Sequence, residues 1–230
     1  MSEPSFEQVV SEGAELQHLF AGEPVIAVGG TAAALHCGHR HSLDVDCVTP
    51  RLRDDYQGHL DRLESWGGWK TNRRNPPVLI LGERHDVQLG LRQLRREHPL
   101  ETTMLRGLAV PTIEETLRIK AFLLAERRST RDFVDAAALI EKLGDEHSLR
   151  ALRPLNQFYA ALGALSPISA FAEAAEAEPT DLHLVPLERY KGLRPPFTDW
   201  AFVQQRVREL SRRLLHWELG TISGPGEGAP

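Results

Sequence analysis

Two acidic residues lie two positions apart in a short segment, residues 43–48, that the sequence predicts to be a strand. Because successive side chains of a strand point to opposite faces, Asp44 and Asp46 share one face, while Leu43 and Val45 point into the core. Neighbouring carboxylates repel each other unless another group compensates their charge. Mg²⁺ prefers oxygen ligands and is commonly held by one or two carboxylates together with substrate phosphates. The spacing therefore predicts that Asp44 and Asp46 bind Mg²⁺.

A pair of glycines precedes this strand by about one helix length. Gly29, Gly30 and Thr31 follow a short apolar strand, residues 24–28, and begin a predicted helix. Glycine lets the backbone approach a phosphate closely, and a helix N-terminus offers free N–H groups and a positive dipole end. Each feature alone is more often structural, a turn or a solvated strand face. Together, a phosphate cradle and a magnesium site on adjacent strands favour phosphoryl or nucleotidyl transfer.

The elements that must position these residues follow from hydrophobic periodicity and from Gly and Pro breaks. Helices are expected over residues 5–20, 31–35 and 54–66, and strands over 24–28, 43–48, 78–81, 85–93 and 103–110. Beyond Pro111 only helices are expected, over 112–126, 130–143, 148–165 and 202–217. The predicted fold class is therefore α+β: a small mixed sheet with flanking helices over residues 1–111, then a helical half over 112–219 that completes the site. The Gly- and Pro-rich segment 220–230 is predicted to be a disordered tail.

Composition excludes several classes of protein. The 230 residues are 41% hydrophobic and 26% charged, which is typical of globular domains, and the net charge of −5 argues against wrapping of duplex nucleic acid. Two cysteines cannot build a framework of disulfides, and neither a secretory signal nor an apolar run of membrane-spanning length is visible. We therefore expect a cytoplasmic protein that does not associate with membranes.

Two blocks of sequence together resemble a known family. The first block contains Gly29-Gly30-Thr31, Gly38-His39-Arg40 and Ser42-Leu43-Asp44-Val45-Asp46, and the second contains Lys120 on a helix followed by Arg131-Asp132-Phe133-Val134-Asp135. They resemble the minimal nucleotidyltransferase superfamily and, more narrowly, are similar to the AbiEii/AbiGii-type (MenT-like) nucleotidyltransferases, which are toxins of toxin–antitoxin pairs. The resemblance covers residues 24–142, roughly half of the chain.

The resemblance implies the nucleotidyltransferase fold and the transfer of a nucleoside monophosphate from a nucleoside triphosphate (NTP) to an acceptor hydroxyl. It implies two Mg²⁺ ions, a tRNA 3′ end as one acceptor, and a cognate antitoxin as a partner. The roles that it implies are catalysis by Asp44, Asp46, Asp86 and Lys120, with the three aspartates as metal ligands. Nucleotide binding would fall to Gly29, Gly30, Thr31, Arg40, Ser42, Lys120, Asp132 and Asp135.

From the residues alone, the second block has structural explanations as well. Lys120 lies on an apolar helix stripe, where a lysine usually extends its amine to solvent, and otherwise needs an anionic partner such as a nucleotide phosphate. Asp132 and Asp135 follow Thr130, so either could stabilise the start of a helix instead of organising a site.

The third carboxylate of the superfamily has no clear counterpart. On the predicted strand 85–93, Asp86 and Gln88 share a face, and the position better flanked by apolar residues holds the neutral Gln88. Gln88 favours one alternative, a degenerate member that binds nucleotide without turnover. A second alternative, an enzyme that modifies a small molecule or a protein, stays open because the helical half carries no motif that identifies the acceptor.

Two further groups of residues could carry function. The histidines and cysteines of residues 36–47 are adjacent or divided between a helix end and a strand, a poor spacing for zinc. The basic cluster Arg92, Arg95 and Arg96 is most simply a solvated surface, although it could steer a triphosphate or an RNA end.

Overall fold

The computed structural model describes residues 3–222, and these divide into two compact units. The first unit extends to Thr116 and includes a later segment, Tyr190–Leu193. The second unit consists of Leu117–Arg189 and the described residues from Arg194 onward. The sequence predicts that the mixed α/β part gives way to helices at residue 111. In the structure the boundary between the units lies between Thr116 and Leu117, inside a helix.

The first unit is built on a mixed five-stranded sheet with the order β1-β2-β5-β4-β3. Its strands are β1 (Ile26–Val28), β2 (Asp44–Thr49), β3 (Lys70–Asn75), β4 (Leu79–Arg84) and β5 (Val87–Gln93). Strands β2 and β5 pair in parallel, and all other neighbours are antiparallel. A separate hairpin is formed by β6 (Thr102–Leu105) and β7 (Leu108–Pro111).

One face of the five-stranded sheet is covered by the hydrophobic core of this unit. The helices of the unit are α1 (Phe6–Leu19), α2 (Gly29–Cys37) and α3 (Tyr56–Glu64). The core contains Val45 and Cys47 from β2, Leu89 and Leu91 from β5, and Leu16 from α1, all of them buried. Because side chains alternate along a strand, the residues between these core positions lie on the opposite face. That face carries Asp44 and Asp46.

The second unit is helical. Its elements are α4 (Ile113–Arg127), which begins in the first unit, α5 (Thr130–Leu143), α6 (Asp145–Leu152), α7 (Leu155–Phe158), α8 (Pro167–Glu176), a 3₁₀ turn (Leu187–Arg189) and α9 (Trp200–Ile222). Helix α9 packs against α5, α6 and α8. The mixed sheet with flanking helices, followed by helices, confirms the predicted α+β fold class.

Several predicted elements differ from the structure. Strand β3 was not predicted, because its sequence Lys-Thr-Asn-Arg-Arg-Asn has no apolar pattern and its side chains are mostly exposed at the sheet edge. The predicted strand 103–110 is a hairpin whose turn, Arg106-Gly107, has positive φ at both residues (52° and 81°), as a two-residue hairpin turn requires.

The helical half also departs from prediction in two places. The predicted helix 148–165 is interrupted after Leu152, close to Pro154. The short helix α7 follows, and α8 then begins with Ser166 as its N-cap. Helix α9 continues to Ile222, so residues 220–222 of the predicted tail are helical. Residues 223–230 lie outside the described part of the chain.

Candidate active site

Asp44 and Asp46 lie on the face of β2 that points away from the core, and both are half-buried. On the other face, Val45 and Cys47 are almost completely buried. Burial, and to a lesser extent the charge of Asp46, raises the pKa of the Cys47 thiol, so this thiol is a core group rather than a nucleophile. The structure thus gives the two carboxylates the shared face that the alternation predicts.

Asp44 is held by two hydroxyl groups from neighbouring segments. Thr31 Oγ1 donates to the backbone carbonyl of Asp44 at 2.5 Å, and Ser42 Oγ donates to the Asp44 carboxylate Oδ1 at 3.0 Å. Thr31 and Ser42 are both buried. Because Thr31 belongs to the first turn of α2, its hydrogen bond attaches the start of that helix directly to the acidic strand.

The start of α2 has two features of an anion site. Gly29 has φ +72°, a left-handed conformation that favours glycine, and the residue before it, Val28, provides no side-chain cap for the helix. Over the next glycine lie the Arg40 guanidinium and the Ser42 hydroxyl. A Cβ at Gly30 would stand 2.5 Å from Arg40 Nη2 and 3.1 Å from Ser42 Oγ.

Arg40 is buried, with 4% of its surface exposed, and a guanidinium remains charged in proteins. Its Nη1 donates to the His41 carbonyl at 3.2 Å, and its guanidinium carbon lies 6.0 Å from the centre of the Tyr190 ring. Tyr190 belongs to the short segment that joins the first unit, and Lys191 of the same segment accepts a hydrogen bond from the His41 backbone N–H at 2.8 Å. The helix start, Arg40 and Ser42 therefore form one corner of positive potential beside Asp44.

Asp46 is paired with an arginine from the neighbouring strand. In the parallel register of β2 and β5, Gly90 stands beside Asp46, and Arg92 follows two residues later on the same face. Arg92 Nε donates to Asp46 Oδ1 at 2.9 Å, with side chains 42% and 34% exposed respectively. The Asp46 carboxylate lies so closely over Gly90 that a Cβ at this position would overlap Asp46 Oδ1. Only glycine accommodates the observed position of this carboxylate.

The residue next to Asp44 on β5 is Gln88, and Asp86 precedes the strand. Asp86 lies in the two-residue turn of the β4–β5 hairpin, where His85 and Asp86 have φ of 49° and 66°. The expected start of the strand at residue 85 therefore differs from the structure, and Asp86 is exposed in the turn rather than beside Asp44. This register does not favour Asp86 as a metal ligand. The implied role of Asp86 in metal binding stays a prediction.

A carboxylate that sequence reasoning missed lies one strand further across the same face. Glu83 of β4 pairs with Gln88, which pairs with Asp44. Glu83 accepts hydrogen bonds from Lys70 Nζ at 3.1 Å and from Gln88 Nε2 at 3.0 Å. These hydrogen bonds, that of Lys70 first, lower the pKa of Glu83. The predicted strand 78–81 stops short of Glu83, whereas β4 continues to Arg84. Gly82 lies inside β4, where its missing side chain makes room for the Trp69 ring.

In the second unit, Lys120, Asp132 and Asp135 form a buried ionic cluster. Lys120 Nζ lies 3.0 Å from Asp132 Oδ1 and 2.6 Å from Asp135 Oδ2, and all three side chains are at most 1% exposed. Arg127 adds a second cation, with Nε 2.5 Å from Asp132 Oδ2. Burial alone would raise the pKa of Asp132, but the charges and hydrogen bonds of Lys120 and Arg127 outweigh it, so the pKa is lowered.

This cluster supplies the anionic partner that a lysine on an apolar stripe requires. The structure brings Lys120, Asp132 and Asp135 together, and it also joins Asp44, Ser42, Thr31, Gly30 and Arg40 in the first unit. The implied role of Lys120 toward pyrophosphate stays a prediction, since its charge is already paired.

Several histidines and cysteines of residues 36–47 have structural surroundings in the described part of the chain. His36 bonds the Pro111 carbonyl at 2.8 Å, His41 stacks on Phe6, and Cys47 lies in the core. Within residues 3–222, no three side chains of His, Cys, Asp or Glu are grouped in a way that could hold a metal ion. The carboxylates Asp44 and Asp46 are thus a pair, a number that fits Mg²⁺ when substrate phosphates supply the other ligands.

Sequence comparison matches part of this chain to a short part of longer curated proteins. No family model matches the chain. MmpL11 of Mycobacterium tuberculosis, named a heme uptake protein, is 34% identical over 139 residues, which cover 56% of this chain and 12% of MmpL11. The chain therefore spans about an eighth of that relative.

In the described part of the chain, none of the helices combines the length and the apolar character of a membrane span.

Two solved structures share the fold over nearly the whole chain. JHP933 of Helicobacter pylori has a TM-score of 0.52 at 16% identity, covering 93% of this chain and 97% of JHP933. MenT4 of M. tuberculosis, a nucleotidyltransferase toxin, has a TM-score of 0.52 at 15% identity, covering 91% of this chain and 84% of MenT4. The chain has the nucleotidyltransferase fold, which is the fold that the sequence resemblance implies.

Proposed function

We propose that this protein is a metal-dependent nucleotidyltransferase that moves a nucleoside monophosphate from an NTP to an acceptor hydroxyl and releases pyrophosphate. One observation carries the proposal: an acidic pair and an uncapped helix start are joined by hydrogen bonds. Thr31, in the first turn of α2, and Ser42, beside Arg40, both bond to Asp44. The nucleotidyltransferase fold, shared with MenT4, supports the same reaction class.

The acidic face fits magnesium. Asp44 and Asp46 offer oxygen donors on one side of β2, and Asp46 Oδ2 accepts no hydrogen bond from any residue of the described chain. These two residues would hold the pair of Mg²⁺ ions. When bound, the ions would stabilise negative charge on the triphosphate and make the acceptor hydroxyl easier to deprotonate.

The chain's own residues bind and orient the triphosphate. The backbone N–H groups and dipole of Gly29, Gly30 and Thr31 attract the β- and γ-phosphates, and the buried Arg40 guanidinium adds a permanent charge over Gly30. Ser42 fixes the Asp44 carboxylate. The acceptor oxygen then attacks the α-phosphorus, the bond from that phosphorus to the bridging oxygen of pyrophosphate breaks, and the acceptor proton passes to a base or to water.

The finer parts of the proposal rest on the family resemblance. We propose a tRNA 3′ end as the acceptor and a role as the toxin of a toxin–antitoxin pair in the cytoplasm. MenT4, a nucleotidyltransferase toxin, has the same fold. An antitoxin encoded with the protein would then neutralise it.

A labelling experiment tests the reaction and its acceptor together. Purified protein is incubated with Mg²⁺ and each α-³²P-labelled NTP, in parallel with total tRNA, an aminoglycoside or a carrier protein. Label on tRNA supports the full proposal, whereas label only on a small molecule or on protein contradicts the tRNA acceptor. Transfer to none of the three contradicts the proposed reaction.

The acidic pair has a matched control in the same unit. We expect Asp44→Asn and Asp46→Asn each to reduce transfer by about 100-fold or more. Replacing a group that only hydrogen-bonds to a metal ligand already costs about 10–100-fold, so loss of a ligand itself should cost at least as much. Asp54→Asn, which alters an exposed acid between β2 and α3, should leave transfer unchanged. Equal activity of all three variants would refute metal binding by the pair.

A second candidate function is nucleotide binding without turnover. The observation that favours it is the neutral Gln88 beside Asp44, which leaves two carboxylates rather than three on β2 and β5 of the acidic face. Calorimetry with Mg²⁺ and an NTP, run beside a pyrophosphate-release assay, separates the two candidates. Micromolar binding without pyrophosphate release in the presence of tRNA would favour the second one.

A further inference from the structure

Arg92 is attached to the proposed metal site in an unusual way. It lies on β5, two residues beyond Gly90, and reaches Asp46 through Nε alone, at 2.9 Å. A guanidinium has five N–H donors, of which Nε carries one. Within residues 3–222, the two terminal amino groups of Arg92 have no hydrogen-bond or ion-pair partner. The side chain is 42% exposed, so these four N–H donors are open to a ligand.

The contact with Asp46 fixes the guanidinium without using its binding edge. The two terminal amino groups form a planar fork that matches two oxygens of a phosphate. Asp46, which holds the guanidinium in place, is also the carboxylate proposed to bind metal. A phosphate bound to a metal ion at the other oxygen of Asp46 would therefore approach this fork.

The charge of Arg92 gives the site a preference. A cation alone at Asp46 is repelled by the guanidinium and must compete with it for the carboxylate. A cation that arrives with a phosphate is not penalised in this way, because the phosphate neutralises the guanidinium. The pair therefore disfavours free metal and favours metal with nucleotide.

We propose that Arg92 is a catalytic residue whose terminal amino groups bind two non-bridging oxygens of the α-phosphate during transfer. This inference rests on the proposed function and deepens it. Arg92 donates hydrogen bonds and transfers no proton: the acceptor oxygen–phosphorus bond forms, the bond to pyrophosphate breaks, and negative charge grows on the oxygens that Arg92 contacts. In the ligand-free protein the same side chain restrains Asp46.

The proposal predicts that Arg92→Ala binds free metal more tightly than the wild type, whereas it binds NTP more weakly and transfers nucleotide more slowly. Removing the side chain in Arg92→Ala should tighten binding of Mn²⁺ alone by about 30-fold, the size of a Coulomb interaction between a divalent ion and a unit charge about 4 Å away in a water-like setting. The same change should lower the rate of nucleotidyl transfer by about 10²–10³-fold, as for the loss of one donor to transition-state charge. A residue with only a structural role would not produce this reversal.

One further variant separates the charge of Arg92 from its geometry, and another serves as the control. Arg92→Lys keeps the charge but not the fork, so Mn²⁺ affinity should stay at the wild-type value while transfer remains at least about tenfold reduced. Arg74→Ala is the matched control, because Arg74 is similarly exposed on β3 but pairs with Glu64, beside the core face of the sheet. It should change neither quantity.

The experiment measures Mn²⁺ binding by calorimetry, binding of a non-hydrolysable NTP with Mg²⁺, and pyrophosphate release, on all three variants. Tighter Mn²⁺ binding with weaker NTP binding in Arg92→Ala supports the proposal. Unchanged Mn²⁺ and NTP affinities, or Arg92→Lys with full transfer, would overturn it. If the wild-type protein shows no transfer to any acceptor, the proposed function fails, while the two binding measurements still decide the role of Arg92 toward phosphate.

Discussion

Replacing Gly90 by alanine tests whether the position of the Asp46 carboxylate matters. Gly90 is the neighbour of Asp46 in the parallel register, and its φ lies in the range that alanine adopts readily. The added Cβ would overlap Asp46 Oδ1 and would lie 2.9 Å from Leu81 Cδ2. Both are ends of flexible side chains, so we expect the Asp46 carboxylate to rotate away from Arg92 while the strand stays in place.

The cost to stability should be small. Losing the half-exposed pair between Asp46 and Arg92 costs up to about 1 kcal/mol, whereas replacing glycine by alanine at a compatible φ stabilises by about 0.4–1 kcal/mol. These contributions offset each other, so the free energy of unfolding should stay within about 1 kcal/mol of wild type. That corresponds to a melting temperature within about 2–4 °C for a chain of this length.

The cost to function should be large. A misplacement of about 1 Å in a catalytic group reduces rates by about 100-fold. Pyrophosphate release with Mg²⁺ and NTP measures this loss, and thermal unfolding measures stability on the same samples. Gly67→Ala is the control, because a Cβ there meets no atom within 4 Å. Wild-type pyrophosphate release by Gly90→Ala, or unfolding of that variant with a loss above about 3 kcal/mol, would refute the reasoning.

Three further predictions follow from the described contacts. Gln88→Glu places a third carboxylate beside Asp44, so pyrophosphate release should rise severalfold if the neutral side chain limits turnover; an unchanged rate would argue against that. Lys120→Met leaves buried carboxylates without their main cation and should lower the free energy of unfolding by about 3–5 kcal/mol in urea, against less than about 0.5 kcal/mol for the exposed Lys142→Met. The pKa of Asp132 is lower in the folded state than its ordinary value of about 4. Its contribution to stability is therefore present above about pH 4 and is lost as the pH falls through the folded-state pKa. Asp132→Asn should flatten this dependence of the free energy of unfolding on acid pH, measured by urea titration.

The acidic pair could be predicted from the sequence because its geometry is local. Alternation along one strand is enough to give Asp44 and Asp46 a common face, and the same rule puts Val45 in the core. The uncapped start of α2 is local too, since the two glycines lie between a strand and a helix. The residues alone indicate an α+β fold class, and the nucleotidyltransferase fold is what the family resemblance implies.

The partners of the acidic pair could not be predicted, because they depend on strand register. Arg92 meets Asp46 only because β5 pairs in parallel with β2, and Glu83 joins the same face only through the next strand. Strand β3 has no apolar pattern of its own and forms by pairing with β4. Lys120 shows a milder form of the same difficulty. Its place on an apolar stripe left open whether its amine reaches solvent or a nucleotide phosphate, and the structure pairs it with Asp132 and Asp135.

The register of β2 and β5 is enforced from the core side of the sheet rather than by the polar residues. Val45 and Cys47 on β2 stand beside Leu89 and Leu91 on β5, and all four are buried. A slip of β5 by one residue would turn these leucines toward solvent and bury Gln88 and Arg92, which costs far more than any contact on the acidic face contributes. The distance between Asp46 and Arg92 is therefore set by apolar packing. A substitution in that core that shifts the register would abolish the site without touching any of its side chains.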